Sequence, residues 1–430
     1  MVKVIGGGLA GVEATYQLAK RGVDVKLYEM RPINNTPAHK TDRLAELVCS
    51  NSLKSTVKTT ASGVLKAELA MLDCLIIKAG EFARVPAGSA LAVDKKLFSD
   101  YIEKVLFDMP NVEIIREEVT NIDNDDDIIV ATGPLTSELL SKSIAKSIGE
   151  TYLHFYDAVA PIISAESIDM NKAFFAERYG KGDADYINCP MNAEEYSAFY
   201  EALIQAKCVD LPDFDKNAVF EGCMPIEVMA KRGYDSIRFG PLRPVGISHP
   251  VTGEKYRAIV QLRQENREKT MYNLVGFQTN LTFLEQEKVF KLIPSLESAE
   301  FFRYGVMHRN TFINSPELLE KNFRLKDSNI FFAGQITGVE GYMESTMSGL
   351  IAGINMYRKL NNLKGLVPSE HTITGALCNH IIRKNENFQP MNANFGILPF
   401  IVCKDKRERK SLYADRALKA MNEYAMEVLL

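Results

Sequence analysis

The 430 residues contain no tryptophan, and lysine, asparagine and isoleucine are plentiful, a bias of AT-rich genomes that says nothing about chemistry. No stretch approaches the roughly 20 unbroken apolar residues that a membrane span needs. The opening Met1-Val2-Lys3-Val4-Ile5-Gly6 lacks the basic start, long apolar run and small-residue cleavage site of a secretion signal, so a cytoplasmic protein is expected. The seven cysteines (Cys49, Cys74, Cys189, Cys208, Cys223, Cys378 and Cys403) include no C-x-x-C pair, which removes the usual redox dithiol and the usual zinc knuckle. Their odd number in a large chain with no secretion signal argues against a disulfide framework, and no metal site is expected. Internal repeats and low-complexity segments are missing too. A net charge of −4 weighs only weakly against a polyanion partner, because nucleic-acid binding needs a local basic face and not a basic total.

What is present is a hydrophobic content of 46% in a chain long enough for two or three domains. Residues 2–29 read as one β-α-β unit: an apolar strand over 2–5, a glycine turn, a helix over 10–20 with Ala14, Leu18 and Ala19 on one face, and a second strand over 23–28. Residues 31–60 are polar and loop-like, with a short apolar helix start expected at 44–48, and 62–77 reads as a helix. Apolar strands at 127–131 and 329–333 each run into glycine, and helices are expected over 344–360 and 404–430. Between about 165 and 325 the pattern changes to mixed strands, aromatic residues and basic clusters.

Gly6-Gly7-Gly8-Leu9-Ala10-Gly11 is a G-x-G-x-x-G that follows a strand and opens a helix. Gly6 allows the tight turn, Gly8 lets the backbone approach a pyrophosphate, and Gly11 allows close helix–strand packing. The helix N-terminus then offers unpaired N–H groups to phosphates. Glu29 follows Gly11 by 18 residues at a strand end, where its carboxylate accepts hydrogen bonds from a ribose. Two later strand ends, Ala131-Thr132-Gly133 and Phe332-Ala333-Gly334-Gln335, favour FAD over NAD, since an NAD dehydrogenase is not expected to return to its first domain in this way. The predicted fold is therefore α/β: a discontinuous, two-dinucleotide-type, FAD-binding Rossmann-like domain over 1–165 and 326–430, with an inserted α+β domain over 166–325 for the substrate.

These segments, with others, carry a resemblance. The chain resembles the folate- and FAD-dependent RNA uracil-C5 methyltransferases known as TrmFO. The further matches are Thr36-Pro37-Ala38-His39, residues 45–53 around Cys49, Phe220-Glu221-Gly222-Cys223-Met224-Pro225-Ile226-Glu227, residues 305–311, residues 332–341 and residues 388–396. They span nearly the whole chain. The resemblance implies that methylenetetrahydrofolate supplies a one-carbon unit, that reduced FAD carries and reduces it, and that NADPH or NADH recharges the flavin. The implied product is 5-methyluridine, by default in the T-loop of tRNA, with 23S ribosomal RNA as the target of a paralogous branch.

Uracil C5 is a poor nucleophile, and the usual solution is thiolate addition at C6 followed by removal of the C5 proton by a base. Cys49 and Cys223 match the family's functional cysteines; either is a candidate for attack at C6, with Cys223 favoured, and the other would assist at C5 or guard the flavin adduct. Tyr342, beside Gly341, resembles the family tyrosine that stacks on the flavin, and His308 is a candidate for contact with folate or RNA. Lys231, Arg232, Arg238 and Arg243, then Arg257, Arg263 and Arg267, are candidates for an RNA track along which an extruded uracil reaches the flavin.

One stretch departs from the family pattern. Where the family carries a basic residue, tryptophan and glycine after Gly276-Phe277-Gln278-Thr279, this chain has Thr282-Phe283-Leu284. That change bears on the RNA target more than on the chemistry and keeps ribosomal RNA in contention. Three other readings compete. The related wobble-uridine enzyme with a GTPase partner is expected to be longer, so no obligate protein partner is inferred. A plain NAD(P)H–flavin oxidoreductase has no need of two motif-embedded cysteines. A non-enzymatic RNA-binding flavoprotein is separated from an enzyme only by assay.

Overall fold

The structure is a computed structural model. It describes all residues except 37, 124, 150–152, 181–183, 211–223, 385–387, 404, 406–407 and 430, and only the backbone of 153–157, 180, 308–309 and 429. Strand β1 (Val2–Ile5), buried at Val2, Val4 and Ile5 and half-buried at Lys3, sits at the centre of a five-stranded parallel sheet. On one side of it lie Ile128–Val130 and then Ile330–Phe332; on the other lie β2 (Val25–Glu29) and then Val112–Arg116. Near-continuous apolar strands are what a parallel sheet covered on both faces requires.

Helix α1 (Leu9–Ala19) follows the glycine turn and is buried along its whole length. Two of its buried polar members pair inside the protein: Gln17 donates to Glu13 at 2.8 Å, and Glu13 accepts from the Ile76 amide at 3.1 Å. The chain leaves the helix at Gly22, whose φ of +80° suits glycine. The late helix Tyr342–Leu360 crosses α1 at backbone contact. A Cβ on Gly349 would lie 2.1 Å from the Ala10 carbonyl oxygen, and one on Gly353 would lie 2.9 Å from that of Ala14. Two glycines one turn apart thus bring the late helix down onto the start of α1.

A six-stranded antiparallel sheet has its own apolar core. Its order is Phe174–Phe175, Ile187–Met191, Ala258–Gln264, Met271–Leu274, Ile162–Ser164 and Phe301–Arg303. The strand Ile162–Ser164 joins this sheet although it precedes residue 166, because the two-stranded ribbon of Leu153–Ala158 with Met307–Phe312 carries the chain across first. Two local expectations are corrected. Residues 44–48 form a turn, not a helix start: Ala45 has φ +52°, and Leu44 and Leu47 are buried. The helix expected over 62–77 is two, Ala61–Met71 and Leu75–Phe82, broken at Asp73 with φ +59°. Among the described residues no helix is long and apolar enough to cross a membrane.

Candidate functional site

A cleft of about 1040 Å³, counting its open mouth, runs across the carboxyl ends of the parallel strands. Gly6, Gly7, Gly8, Leu9 and Ala10 form its floor, Glu29 and Arg31 one end, and Thr132, Gly133, Gly334, Gln335 and Tyr342 the far wall. The glycines divide the work as their spacing predicts. Gly6 has φ +105°, and a Cβ there would lie 2.5 Å from the Ala131 carbonyl oxygen. A Cβ on Gly11 would collide with the Gly6 carbonyl at 1.8 Å, so this residue sets the helix against the turn. A Cβ on Gly8 meets nothing within 4 Å, so the backbone faces open space there. Gly8 is also the N-cap of α1 and supplies no side-chain cap, which leaves the first-turn N–H groups to a ligand. These features fit a dinucleotide pyrophosphate.

Glu29 is 6% exposed. Its carboxylate accepts from the Gly7 amide at 3.0 Å and from the Arg31 amide and Nε at 3.0 and 2.9 Å. Burial pushes the Glu29 carboxyl up, but the Arg31 hydrogen bond and charge outweigh it and hold it below the ordinary range. Arg31 in turn reaches Glu46 at 2.9 Å, so this one buried guanidinium ties β2 to the segment before Cys49. Ionised and fixed, Glu29 keeps lone pairs for ribose hydroxyls.

The far wall is braced by the tail. Gly334 has φ +85° and its amide donates to Ser348 at 2.6 Å; Gly341 has φ +119° and precedes Tyr342. Residues 388–396 strap this turn: Met391 exchanges hydrogen bonds with Gly338 and Glu340 at 3.0 and 2.8 Å, and Ala393 donates to Glu344 at 2.9 Å. A Cβ on Gly338 would lie 2.5 Å from the Phe388 ring.

The Cys49 turn meets the cleft at Val48, which lines it together with Tyr342. The Tyr342 hydroxyl oxygen accepts from the Cys49 amide at 2.8 Å and the Ser50 amide at 3.1 Å. Burial first, and then the nearness of Cys49, push the Tyr342 phenol well up, so it stays protonated. From the other side, Arg303 donates to the carbonyls of Val48 and Cys49, both at 3.1 Å. Asn51 is fully buried: its amide nitrogen donates to the Gln264 carbonyl at 2.8 Å and its oxygen accepts from Arg263 at 2.9 Å. Behind it, the Lys95 ammonium faces Glu265 at 3.6 Å with no hydrogen bond. Although part of the Lys95 stem is exposed, its ammonium is enclosed, and burial, partly offset by Glu265, brings its pKa down to about 8. The turn bearing Cys49 is thus held by the late helix through its N–H groups and by the antiparallel sheet through its C=O groups.

The other expected residues fall in three places. Cys223 lies outside the described residues, and only the backbone of His308 is described, in the strand Met307–Phe312. Lys231, Arg232 and Arg243 are exposed; Arg238 and Arg257 pair with Asp235 at 2.6 and 3.1 Å. Arg263 is not on any surface track: it is 8% exposed and committed to Asn51 and Asn273. Arg31, Arg303 and Lys95 were not expected from the sequence. Arg31 stood two residues from Glu29 and Arg303 two before the 305–311 segment, but nothing local marked either as a brace.

Comparison with known proteins gives the following. A family model described as "Glucose inhibited division protein A" matches residues 1–364. Over 424 residues the chain is 55% identical to the Methylenetetrahydrofolate--tRNA-(uracil-5-)-methyltransferase TrmFO of Natranaerobius thermophilus, covering 98% of both chains. It is 54% identical over 424 residues to the protein so named in Bacillus subtilis, covering 98% of this chain and 97% of that one. Among solved structures, Aquifex aeolicus GidA in its form II crystal superposes with a TM-score of 0.73 at 17% identity, over 99% of this chain and 73% of that chain. That likeness concerns the fold.

Proposed function

The chain belongs to the TrmFO family, within the wider glucose-inhibited division protein A family, and from that premise we propose that it is an enzyme methylating uracil C5 in RNA. The carbon donor is methylenetetrahydrofolate and the resident cofactor is FAD, recharged by NADPH or NADH. The observation that carries this reading is the Cys49 turn, pinned at the end of a dinucleotide cleft by Tyr342 and Arg303. A flavin reductase has no use for a thiol-bearing turn held from both sides at that place. Identity of more than half the residues, along the whole length of relatives named for this reaction, supports it.

FAD supplies redox chemistry and a carrier for the one-carbon unit when bound. The chain's own residues do the rest. Gly6 to Gly11 and the start of α1 bind the phosphates, and Glu29 orients the ribose; Ala131, Thr132 and Gly133 with Gly334, Gln335 and Gly341 shape the wall. Cys49 and Cys223 are the catalytic pair: one thiolate adds to C6 and raises the electron density at C5, the other assists at C5, with Cys223 favoured as the nucleophile. Tyr342 fixes Cys49 through its hydroxyl and offers its ring to the cleft. His308 and the exposed Lys231, Arg232 and Arg243, with Arg238, serve the folate and RNA side.

The substrate is the T-loop uridine of tRNA, in keeping with the relatives' names. Thr282-Phe283-Leu284 favours a second reading, the same reaction on a uridine of 23S ribosomal RNA. Mass mapping of 5-methyluridine in both RNAs from a deletion strain separates them. Loss from tRNA alone supports the first, and loss from ribosomal RNA alone overturns it.

A further inference from the structure

A second cavity, of about 610 Å³ counting its mouth, adjoins the dinucleotide cleft and shares Val48 with it. Val48 immediately precedes Cys49, and Arg303, which holds the carbonyls of both, also lines this cavity. Its outer wall is aromatic. Phe301, packed on the antiparallel sheet's core, stacks with Tyr304 at 5.2 Å between centroids and 15° between planes. Tyr304 then stacks with Phe283 at 4.6 Å and 16°. The Tyr304 hydroxyl is hydrogen-bonded to Glu287, which fixes the middle ring. The three rings form a column rising from the core, and its last ring, Phe283, remains 53% exposed. Phe302, 59% exposed, also lines the cavity, and Lys40 in the same lining adds to the positive charge of Arg303.

An aromatic column that ends in solvent leaves one ring face without a partner. Another planar ring can extend it, and the cations beside it select a ring that carries an anion. Bases of single-stranded RNA meet both conditions, since every base has a π-face and every nucleotide a phosphate. We infer that Phe283 is a stacking platform for an unstacked nucleobase of the RNA substrate, next in the strand to the uracil presented at Cys49. This deepens the RNA reading above and rests on it. The platform sits in the stretch where this chain departs from the family pattern, so a neutral stacking surface takes up part of the RNA contact there.

The test uses full-length, FAD-loaded protein, a tRNA T-arm transcript, and the variants Phe283→Ala and Phe283→Trp. The chain contains no tryptophan of its own, so Phe283→Trp carries a single one, at the platform. Phe283→Ala should weaken transcript binding by about 5- to 150-fold, the effect of one lost base stack. Phe283→Trp should bind like the wild type, with fluorescence quenched on adding transcript, and both variants should keep wild-type flavin spectra and reduction by NADPH. Unchanged binding and methylation by Phe283→Ala overturn the platform. So does a raised KM for methylenetetrahydrofolate with RNA binding unmoved, which would make folate the occupant. If Phe283→Ala does not fold, tryptophan fluorescence in Phe283→Trp that ignores the transcript overturns it as well. A wild-type protein that neither binds nor methylates any RNA overturns the function itself, and the platform with it.

Discussion

Replacing Tyr342 by phenylalanine separates the two things its side chain offers. The ring, and any stacking on a flavin, is kept. The oxygen that accepts from Cys49 and Ser50, at 2.8 and 3.1 Å, is removed. Each partly buried amide left without its acceptor costs about 1–3 kcal/mol. The turn can swing toward water and recover some of this, so about 2–4 kcal/mol in total is reasonable. Unfolding entropy is about 2 cal/mol/K per residue, which over a chain this long gives roughly 1 °C per kcal/mol, so the melting midpoint should fall by only about 2–4 °C. The local effect is larger than the global one. At 1.4 kcal/mol per factor of ten, loss of the anchor should raise the alkylation rate of Cys49, followed by peptide mass mapping, by at least about tenfold. Methyl transfer should fall by about 100-fold, the cost of a misplacement of order 1 Å, while bound FAD is retained. If Tyr342→Phe matches the wild type in both assays while Tyr342→Ala does not, the ring alone matters and the anchoring argument is wrong.

Gly349→Val sets a side chain where even a Cβ is 2.1 Å from the Ala10 carbonyl oxygen, so the two helices must part. It should cost at least about 1–3 kcal/mol and lower the FAD that copurifies, read by absorbance; full flavin content would show that the helix crossing does not set the cleft. Lys95→Met leaves the Glu265 carboxylate buried without its cation but also removes an ammonium that burial disfavours, so in chemical denaturation near pH 7 it should cost less than the about 3–5 kcal/mol of an ordinary broken buried pair. Lys95→Met with Glu265→Leu should recover most of that, and a double variant no better than the single would contradict the pairing. Lys95 also predicts a pH effect. The folded chain holds this proton only to about pH 8, the unfolded chain to its ordinary 10.5, so the fold is penalised below about pH 8 and relieved as pH rises toward 10.5. Between about pH 7 and about pH 9.5 the wild type should therefore gain stability relative to the double variant, in which neither member of the pair remains.

The dinucleotide turn was legible because its requirements are local: a turn that only glycine permits at Gly6, open backbone at Gly8, and a carboxylate at the end of the next strand. The strand at 329–333 and the helix behind it were legible for the same reason. The clamps on Cys49 were not. Tyr342 and Arg303 lie 293 and 254 residues from the atoms they hold, and no periodicity reports a contact at that range. Residues 44–48 misled because Leu44, Leu47 and Val48 have helical spacing, yet the turn they form lies under Gly7, where the Ala45 amide donates to the Gly7 carbonyl at 2.8 Å. Arg263 misled in the opposite way. A charged residue in a basic run reads as surface, but the acceptors on Asn51 and Asn273 let it be buried between the antiparallel sheet and the Cys49 turn.

The most direct test of the central claim follows the carbon. Full-length, FAD-loaded protein is supplied with NADPH, methylenetetrahydrofolate labelled in its one-carbon unit, and a tRNA T-arm transcript, with a 23S ribosomal RNA fragment in parallel, and the nucleosides are resolved by mass. Label should appear in 5-methyluridine of the T-arm transcript and be lost in Cys49→Ala and in Cys223→Ala. Reduction and reoxidation of the flavin with no label in either RNA would contradict the account.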